Sequence, residues 1–263
     1  MLTYTYDGTL EGLLCCIFVI YTRREVPDEV VEESQVQFSF DQILRAIETR
    51  PERADRVWAG IGRRMGSGAQ LKVRGVFLNS DPDKATLLCR WILKGLKVGR
   101  RIYSDITSEV GAPIEALYRR VAREQNQMIQ FARFAQKDNG VWFAKIKPEH
   151  AVVPLIMDHF AQRFNIQPFI IYDERHHMAG IYDRQQWYLA DTGALRMAQD
   201  APEEECFQEL WRSFYDAIAI PERFNPKLRQ NLMPQRFWGN MCELNRTVGA
   251  GSAPTLSAAQ LND

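Results

Sequence analysis

Long apolar runs and signal-like segments are missing from this chain of 263 residues. The apolar run at residues 13–20 is far shorter than the roughly 20 residues that a membrane-spanning helix needs. No Lys or Arg precedes this run, so the positively charged start of a secretory signal is missing too. We therefore expect neither a membrane span nor a cleaved signal.

Cysteine is scarce, and the formal net charge is zero. The five cysteines include no C-x-x-C pair, and an odd number without a signal segment argues against a disulfide framework. This pattern favours a reduced, cytoplasmic protein. Because the charges cancel overall, a polyanionic partner would have to bind a local basic patch rather than respond to the field of the whole molecule.

Local signatures of catalysis and metal binding are also missing. The glycine-rich residues 59–68 lack the lysine and hydroxyl residue of a phosphate-binding loop, and we interpret them as a helix end followed by a loop. The chain has no G-x-S-x-G nucleophile elbow. His150 and His159 fall on opposite sides of one predicted helix, while His176 and His177 are adjacent in a predicted turn. The sequence therefore predicts no metal site and no cofactor.

The N-terminal segment combines a short alternating run with a helical pattern. Residues 8–22 carry apolar side chains at helical spacing, which is typical of a buried helix. Asp7 precedes the first turn, where a carboxylate can accept hydrogen bonds from backbone N–H groups that lack a helical partner. We interpret Asp7 as a helix cap, with a catalytic Asp7 as the alternative.

The first half of the chain is predicted to be mainly helical. Helical spacing on both sides of Pro51 predicts two helices within residues 39–66. Further helices are predicted over residues 81–99, with Asp81 as the cap, and over residues 112–129.

The second half of the chain contains a predicted sheet. Residues 128–147 alternate apolar and polar side chains around the turn sequence KDNG, which predicts a hairpin. Residues 151–164 return to helical spacing, and three short strands follow within residues 168–191. The fold class is therefore α+β, with a helical N-terminal part, a central mostly antiparallel sheet of about five strands with a crossing helix, and C-terminal helices.

The predicted domain boundary lies near the C-terminus. Residues 1–246 form a single α+β domain, or two tightly packed lobes over 1–110 and 111–246. Residues 247–263 are small, polar and aperiodic, and we predict a disordered tail there.

Two basic stretches point to nucleic acid. Residues 90–134 contain nine bases against four acids, and residues 221–241 interleave bases with aromatic and amide side chains. Guanidinium groups of arginine bind phosphate, while aromatic rings stack on exposed nucleobases. The alternative is a solvated charged face whose rings only pin the C-terminal segment to the core. The predicted nucleic-acid-binding residues are Arg223, Asn225, Lys227, Arg229, Arg236 and Trp238, with a second strip of Arg119, Arg120 and Arg123.

Four blocks of the sequence resemble a known bacterial family. They are YDGTLEGLLCCIFVIY, VWFAKIKPEHAVVPLIMDHFAQRF, FIIYDERHHMAGIYD and LWRSFYDAIAIPERFNPKLRQNLMPQRFW. Their order and content are similar to those of proteins labelled probable DNA metabolism or putative DNA repair protein. In that family the domain stands alone or follows a uracil-DNA-glycosylase-like domain.

The resemblance implies a partner and leaves one motif in question. The stand-alone form resembles the partner of a radical-SAM protein that carries a DNA-binding helix-hairpin-helix. This chain lacks the C-x-x-x-C-x-x-C run of a radical-SAM cluster, so such chemistry would belong to the partner. Where the family pattern has EAHRM or EAHKM, this chain has Gln125, Asn126 and Gln127 after Glu124 and so lacks the histidine.

The leading hypothesis is a DNA-associated accessory or repair protein that binds DNA and acts with a radical-SAM partner. The competing hypothesis is an enzyme acting on a damaged base or nucleotide, with Glu149, His150 and Tyr172 as acid/base candidates. For Glu149 and His150, the alternative is a cap at the start of the following helix. A third possibility is an interaction scaffold that uses the acidic residues 200–209 and touches no DNA.

Overall fold

A computed structural model describes residues 1–37, 41–192, 200–219 and 225–244. Its N-terminal part contains a three-stranded parallel sheet in which β1 (Leu2–Tyr6) lies between β2 (Glu29–Glu32) and β3 (Ile43–Ala46). Helix α1 (Leu10–Arg23) connects β1 to β2, as a parallel pair requires. The described residues end before the predicted disordered tail, 247–263, which therefore lies outside them.

The first half of the described chain is mainly helical, as predicted, but one of its predicted helices is a strand instead. The segment before Pro51 was predicted to be a helix, but it contains β3. Ile43 and Leu44 are exposed on β3, an edge strand. The helical spacing of apolar residues in this segment therefore does not correspond to a buried helix face. Pairing with β1, far away in the sequence, determines the structure of these few residues.

Helices follow the first sheet. Pro51 occupies the first turn of its helix, where no backbone donor is lost, and Gly66 and Gly99 end helices with positive φ. The sequence predicted a helix end followed by a loop over residues 59–68. Gly60 and Gly62 instead lie inside the first of these helices, which continues to Met65. The four helices are α2 (Pro51–Met65), α3 (Ser67–Phe77), α4 (Lys84–Val98) and α5 (Gly111–Phe131).

The second sheet has five strands in the order β4-β5-β6-β7-β8. Helix α6 (Val153–Arg163) connects the parallel strands β5 and β6, and the other neighbours are antiparallel. The predicted class, a mostly antiparallel sheet with a crossing helix and helices at both ends, is confirmed. The strands are β4 (Phe134–Gln136), β5 (Trp142–Ile146), β6 (Phe169–Asp173), β7 (Met178–Tyr182) and β8 (Trp187–Asp191).

Helix α6 packs closely on one face of this sheet. A Cβ atom on Gly180 in β7 would lie 2.3 Å from Met157 Sδ and 2.9 Å from Val153 Cγ1. Only glycine lets the helix approach the strand this closely.

Two hydrophobic clusters meet along α5. Ile114 and Leu117 belong to the cluster around the first sheet, whereas Val121 and Met128 belong to the cluster around the second. Helix α5 therefore contributes side chains to both hydrophobic clusters, and its exposed face extends from one part of the molecule to the other. The division into one domain or two lobes stays a prediction.

The described C-terminal part consists of helical elements, of which the last packs on the second cluster. Helix α7 (Glu204–Ile218) is followed by α8 (Pro226–Leu232) and a 3₁₀ helix, Gln235–Asn240. The ring of Phe237 is buried in the second cluster and packs against Phe131 at a centroid distance of 5.8 Å. No helix in the described ranges is long and apolar enough to cross a membrane.

Candidate nucleic-acid interface

A buried carboxylate organises the centre of the molecule. Glu124 lies on the inner face of α5, and only 3% of its side chain is exposed. Its Oε1 atom accepts from Glu149 N at 2.8 Å and from Arg236 Nη2 at 3.0 Å, while Oε2 accepts from His150 N at 2.7 Å. Glu124 therefore ties both the loop after β5 and the C-terminal segment to α5.

His150 is buried, and a backbone donor occupies one of its ring nitrogens. Ser80 N donates to His150 Nδ1 at 3.2 Å, so in the neutral ring the proton lies on Nε2. Burial lowers the pKa of His150, and Arg120 and Arg236 lower it further, against the raising effect of Glu124 and Glu149. In this arrangement Nδ1 accepts a hydrogen bond, and the neutral ring carries its proton on Nε2.

The remaining catalytic candidates are not assembled with His150. The side chain of Glu149 is half exposed and lies 3.4 Å from Arg236 Nη1. Tyr172 packs against Phe143 in β5, and no hydrogen bond joins Tyr172 to Glu149 or His150 in the part of the chain that the structure describes.

The cap interpretation of these loop residues is wrong. The residue before α6 is Val152, and no side chain caps the helix. Glu149 and His150 instead present their backbone donors to Glu124, a carboxylate supplied by a different helix.

Asp7 also has a different role from the predicted one. Thr9 is the residue that caps α1, because its hydroxyl accepts from Gly12 N at 2.9 Å. Asp7 Oδ1 accepts from the backbone and hydroxyl of Thr9, and Oδ2 accepts from the Thr49 hydroxyl at 2.8 Å. Burial tends to raise the pKa of Asp7, but these hydrogen bonds outweigh it and lower the pKa. Asp7 therefore positions the capping residue.

The predicted strip on α5 is exposed. Arg119 pairs with Glu115 at 2.8 Å, and Arg120 Nη1 lies 3.9 Å from Asp81 Oδ2. Arg123 is exposed and has no ion pair among the residues that the structure describes. Exposed polar side chains recur along α5 at three- and four-residue spacing, which forms one stripe about 16 Å long. This α5 stripe consists of Arg119, Arg123, Asn126 and Gln130.

The second basic stretch is largely occupied by its own structure. Asn225 Oδ1 caps α8 by accepting from Leu228 N at 2.9 Å. The Arg229 guanidinium lies 5.1 Å from the ring centre of Trp238, whose Nε1 donates to a backbone carbonyl. Lys227 is exposed. Arg223 lies outside the described residues.

The two basic stretches make a direct contact. Arg236 reaches Glu124, which follows Arg123 directly and lies one helical turn after Arg120. The ion pair joins the C-terminal basic segment to the inner face of α5 beside Arg120, roughly 120° around the helix from the α5 stripe. No local sequence pattern identified this contact, because its partners are 112 positions apart.

A groove that the sequence did not predict lies between α7 and the edge of the second sheet. Its volume is about 900 Å³. Arg133, Arg163 and Arg212 line it, and among the described residues Glu204 is the one carboxylate in the lining. The groove also contains five aromatic side chains: Phe134, Trp142, Phe164, Phe207 and Trp211. The amphipathic spacing of α7 was a usable signal, but it does not show whether the apolar side is buried.

The described ranges contain no group of three or more His, Cys, Asp and Glu side chains that could hold a metal ion. The model of a family described as a domain of unknown function, DUF4130, matches residues 82–243. This region includes α5, Glu124 with its three hydrogen-bond donors, the groove and the second sheet. No curated protein matches the chain.

Proposed function

This chain belongs to the DUF4130 family of domains of unknown function, and from its geometry we propose that it is a DNA-associated accessory or repair protein. The exposed α5 stripe and the neighbouring C-terminal bases bind the phosphate backbone. The observation that carries this proposal is the exposed α5 stripe, in which Arg123 has no ion pair among the described residues. The contact between Arg236 and Glu124, at 3.0 Å, connects the C-terminal basic stretch to the same helix.

The surface is suited to positioning DNA rather than to reacting with it. Arg119 and Arg123 extend from the outside of α5, where their charge-assisted hydrogen bonds can reach phosphate. His150, the strongest acid/base candidate in the sequence, is neutral with its Nδ1 atom occupied. The family resemblance of the sequence blocks leads us to propose further that a radical-SAM protein with a helix-hairpin-helix supplies the chemistry.

Replacing Arg119 and Arg123 together by Glu is expected to weaken DNA binding by about 10- to 100-fold at low salt. The slope of log affinity against log salt should become shallower by about 1.5 units, since each lost phosphate contact removes close to one unit. Fluorescence anisotropy with labelled oligonucleotides across a salt series measures both quantities.

A matched control is the replacement of Arg63 and Arg64 by Glu, because both are exposed on α2 and the change in net charge is the same. This control should retain most of the affinity. Equal losses in the two double variants would contradict the assignment of the α5 stripe, because they would show that only total charge matters.

A further inference from the structure

Helix α7 is fixed in place by polar contacts, while its apolar side stays open. Glu204 Oε2 accepts from Gln136 N in β4 at 2.9 Å, and Arg212 Nε donates to Cys242 O at 3.0 Å. Phe207 is 61% exposed and Trp211 is 42% exposed. Apolar rings held in a defined position and left exposed mark a binding surface.

The opposite wall of the groove is also aromatic. Trp142 and Phe164 stack at a centroid distance of 6.3 Å and an interplanar angle of 25°. Phe134 packs against Phe164 at 4.8 Å. Rings on both walls therefore provide flat surfaces between which a planar group can stack.

The polar lining of the groove has two kinds of side chain. Arg163 is exposed and has no ion pair among the described residues. Arg212 adds a second guanidinium group, whose Nε donates to Cys242 O. The guanidinium of Arg133, in contrast, is paired with Glu243 at 2.6 Å. Glu204, the one carboxylate among the described lining residues, is bonded to Gln136 N and Gln208 Nε2. The amide side chains in the lining are Gln130, Gln136, Gln208 and Asn240.

We propose that this groove binds an unpaired nucleobase of a DNA strand together with its phosphate, an inference that rests on the proposed function. Aromatic faces stack on any base, amides can hydrogen-bond to its edge, and guanidinium groups hold phosphate. A volume of about 900 Å³ is in the range of small-molecule sites. A base paired within a duplex does not present its face, so the groove selects single-stranded or extruded nucleotides.

The position of the groove connects it to the DNA-binding surface. Gln130 is the last residue of the α5 stripe and also lines the groove. A strand whose phosphates follow Arg119 and Arg123 therefore arrives at the groove, where its next base can leave the backbone and stack.

The test compares a short thymidine strand with an abasic strand of equal length, for the wild type and for Trp211→Ala. The wild type should bind the thymidine strand about 5- to 100-fold more tightly, because base–aromatic stacking is lost with the abasic strand. In Trp211→Ala, and likewise in Phe207→Ala, this ratio should fall below about 2-fold. Leu232→Ala, an exposed apolar residue on α8 outside the groove, should keep the wild-type ratio.

Circular dichroism and thermal melting show that each variant is folded before its ratio is interpreted. An unchanged ratio in folded Trp211→Ala and Phe207→Ala, with salt-sensitive binding intact, would overturn the groove proposal and leave the proposed function standing. If neither strand bound the wild type at low salt, the proposed function would fail and the groove proposal with it.

Discussion

Glu124→Gln is expected to lower the free energy of unfolding by about 3–5 kcal/mol. The carboxylate accepts from two backbone N–H groups and from Arg236, and only 3% of the side chain is exposed. A glutamine of the same shape keeps one acceptor oxygen but turns an NH₂ group toward a donor. Urea unfolding near neutral pH measures the loss.

Glu149→Gln is the matched control for this prediction. Its side chain is half exposed, and its one ion-pair partner among the described residues is Arg236, at 3.4 Å, so its loss should cost less than about 1 kcal/mol. A similar cost for both variants would show that the ion pair with Arg236, and not the two backbone hydrogen bonds, supplies the stability. A charge-reversal variant of Arg236 would not be a clean test of DNA binding. It would place two negative charges side by side at the buried Glu124 and destabilise the fold.

Glu243→Gln is expected to lower the free energy of unfolding by about 3 kcal/mol near neutral pH. Glu243 is buried, and its Oε1 accepts from Arg133 Nη2 at 2.6 Å and from Arg133 Nε at 3.1 Å. The contact joins the C-terminal segment to a residue just after α5 that lines the groove. Its loss leaves the Arg133 guanidinium partly buried without a counter-charge.

The same variant has a defined pH dependence. Burial tends to raise the pKa of Glu243, but the hydrogen bonds and charge of Arg133 outweigh it and lower the pKa. The unfolded state therefore takes up the proton at higher pH than the folded state, and the stabilisation is lost as pH falls through the folded pKa. The difference between wild type and Glu243→Gln should shrink in acid. A difference that stayed constant from neutral to acidic pH would contradict an ionic role for Glu243.

Much of the second half of the fold could be predicted because its patterns are local. The strands β6 to β8 alternate and are separated by tight turns, and α6 has helical spacing over its whole length. The first sheet was missed because its outer strands, β2 and β3, are only four residues long. Their pairing with β1 is a long-range effect that no local spacing contains.

The candidate site also has features that local sequence patterns predict and features that depend on contacts between distant segments. The spacing of the arginines in the sequence was enough to place them on one exposed side of α5, because residues three and four positions apart are neighbours on a helix surface. The role of Glu124 could not be predicted, because its three donors come from two distant segments. The role of His150 depends on a backbone donor 70 positions away. The groove is assembled from α5, α6, α7, the strands β4 and β5, and the C-terminal segment, so no single stretch of sequence describes it.

The central claim is that this protein contacts DNA directly and prefers an unpaired strand. The measurement that tests it most directly is fluorescence anisotropy of the wild type with single-stranded and duplex oligonucleotides across a salt series. We expect affinity to fall as salt rises, because bound phosphates release counterions, and we expect tighter binding of the single strand. A folded protein that bound neither oligonucleotide at the lowest salt would contradict the claim.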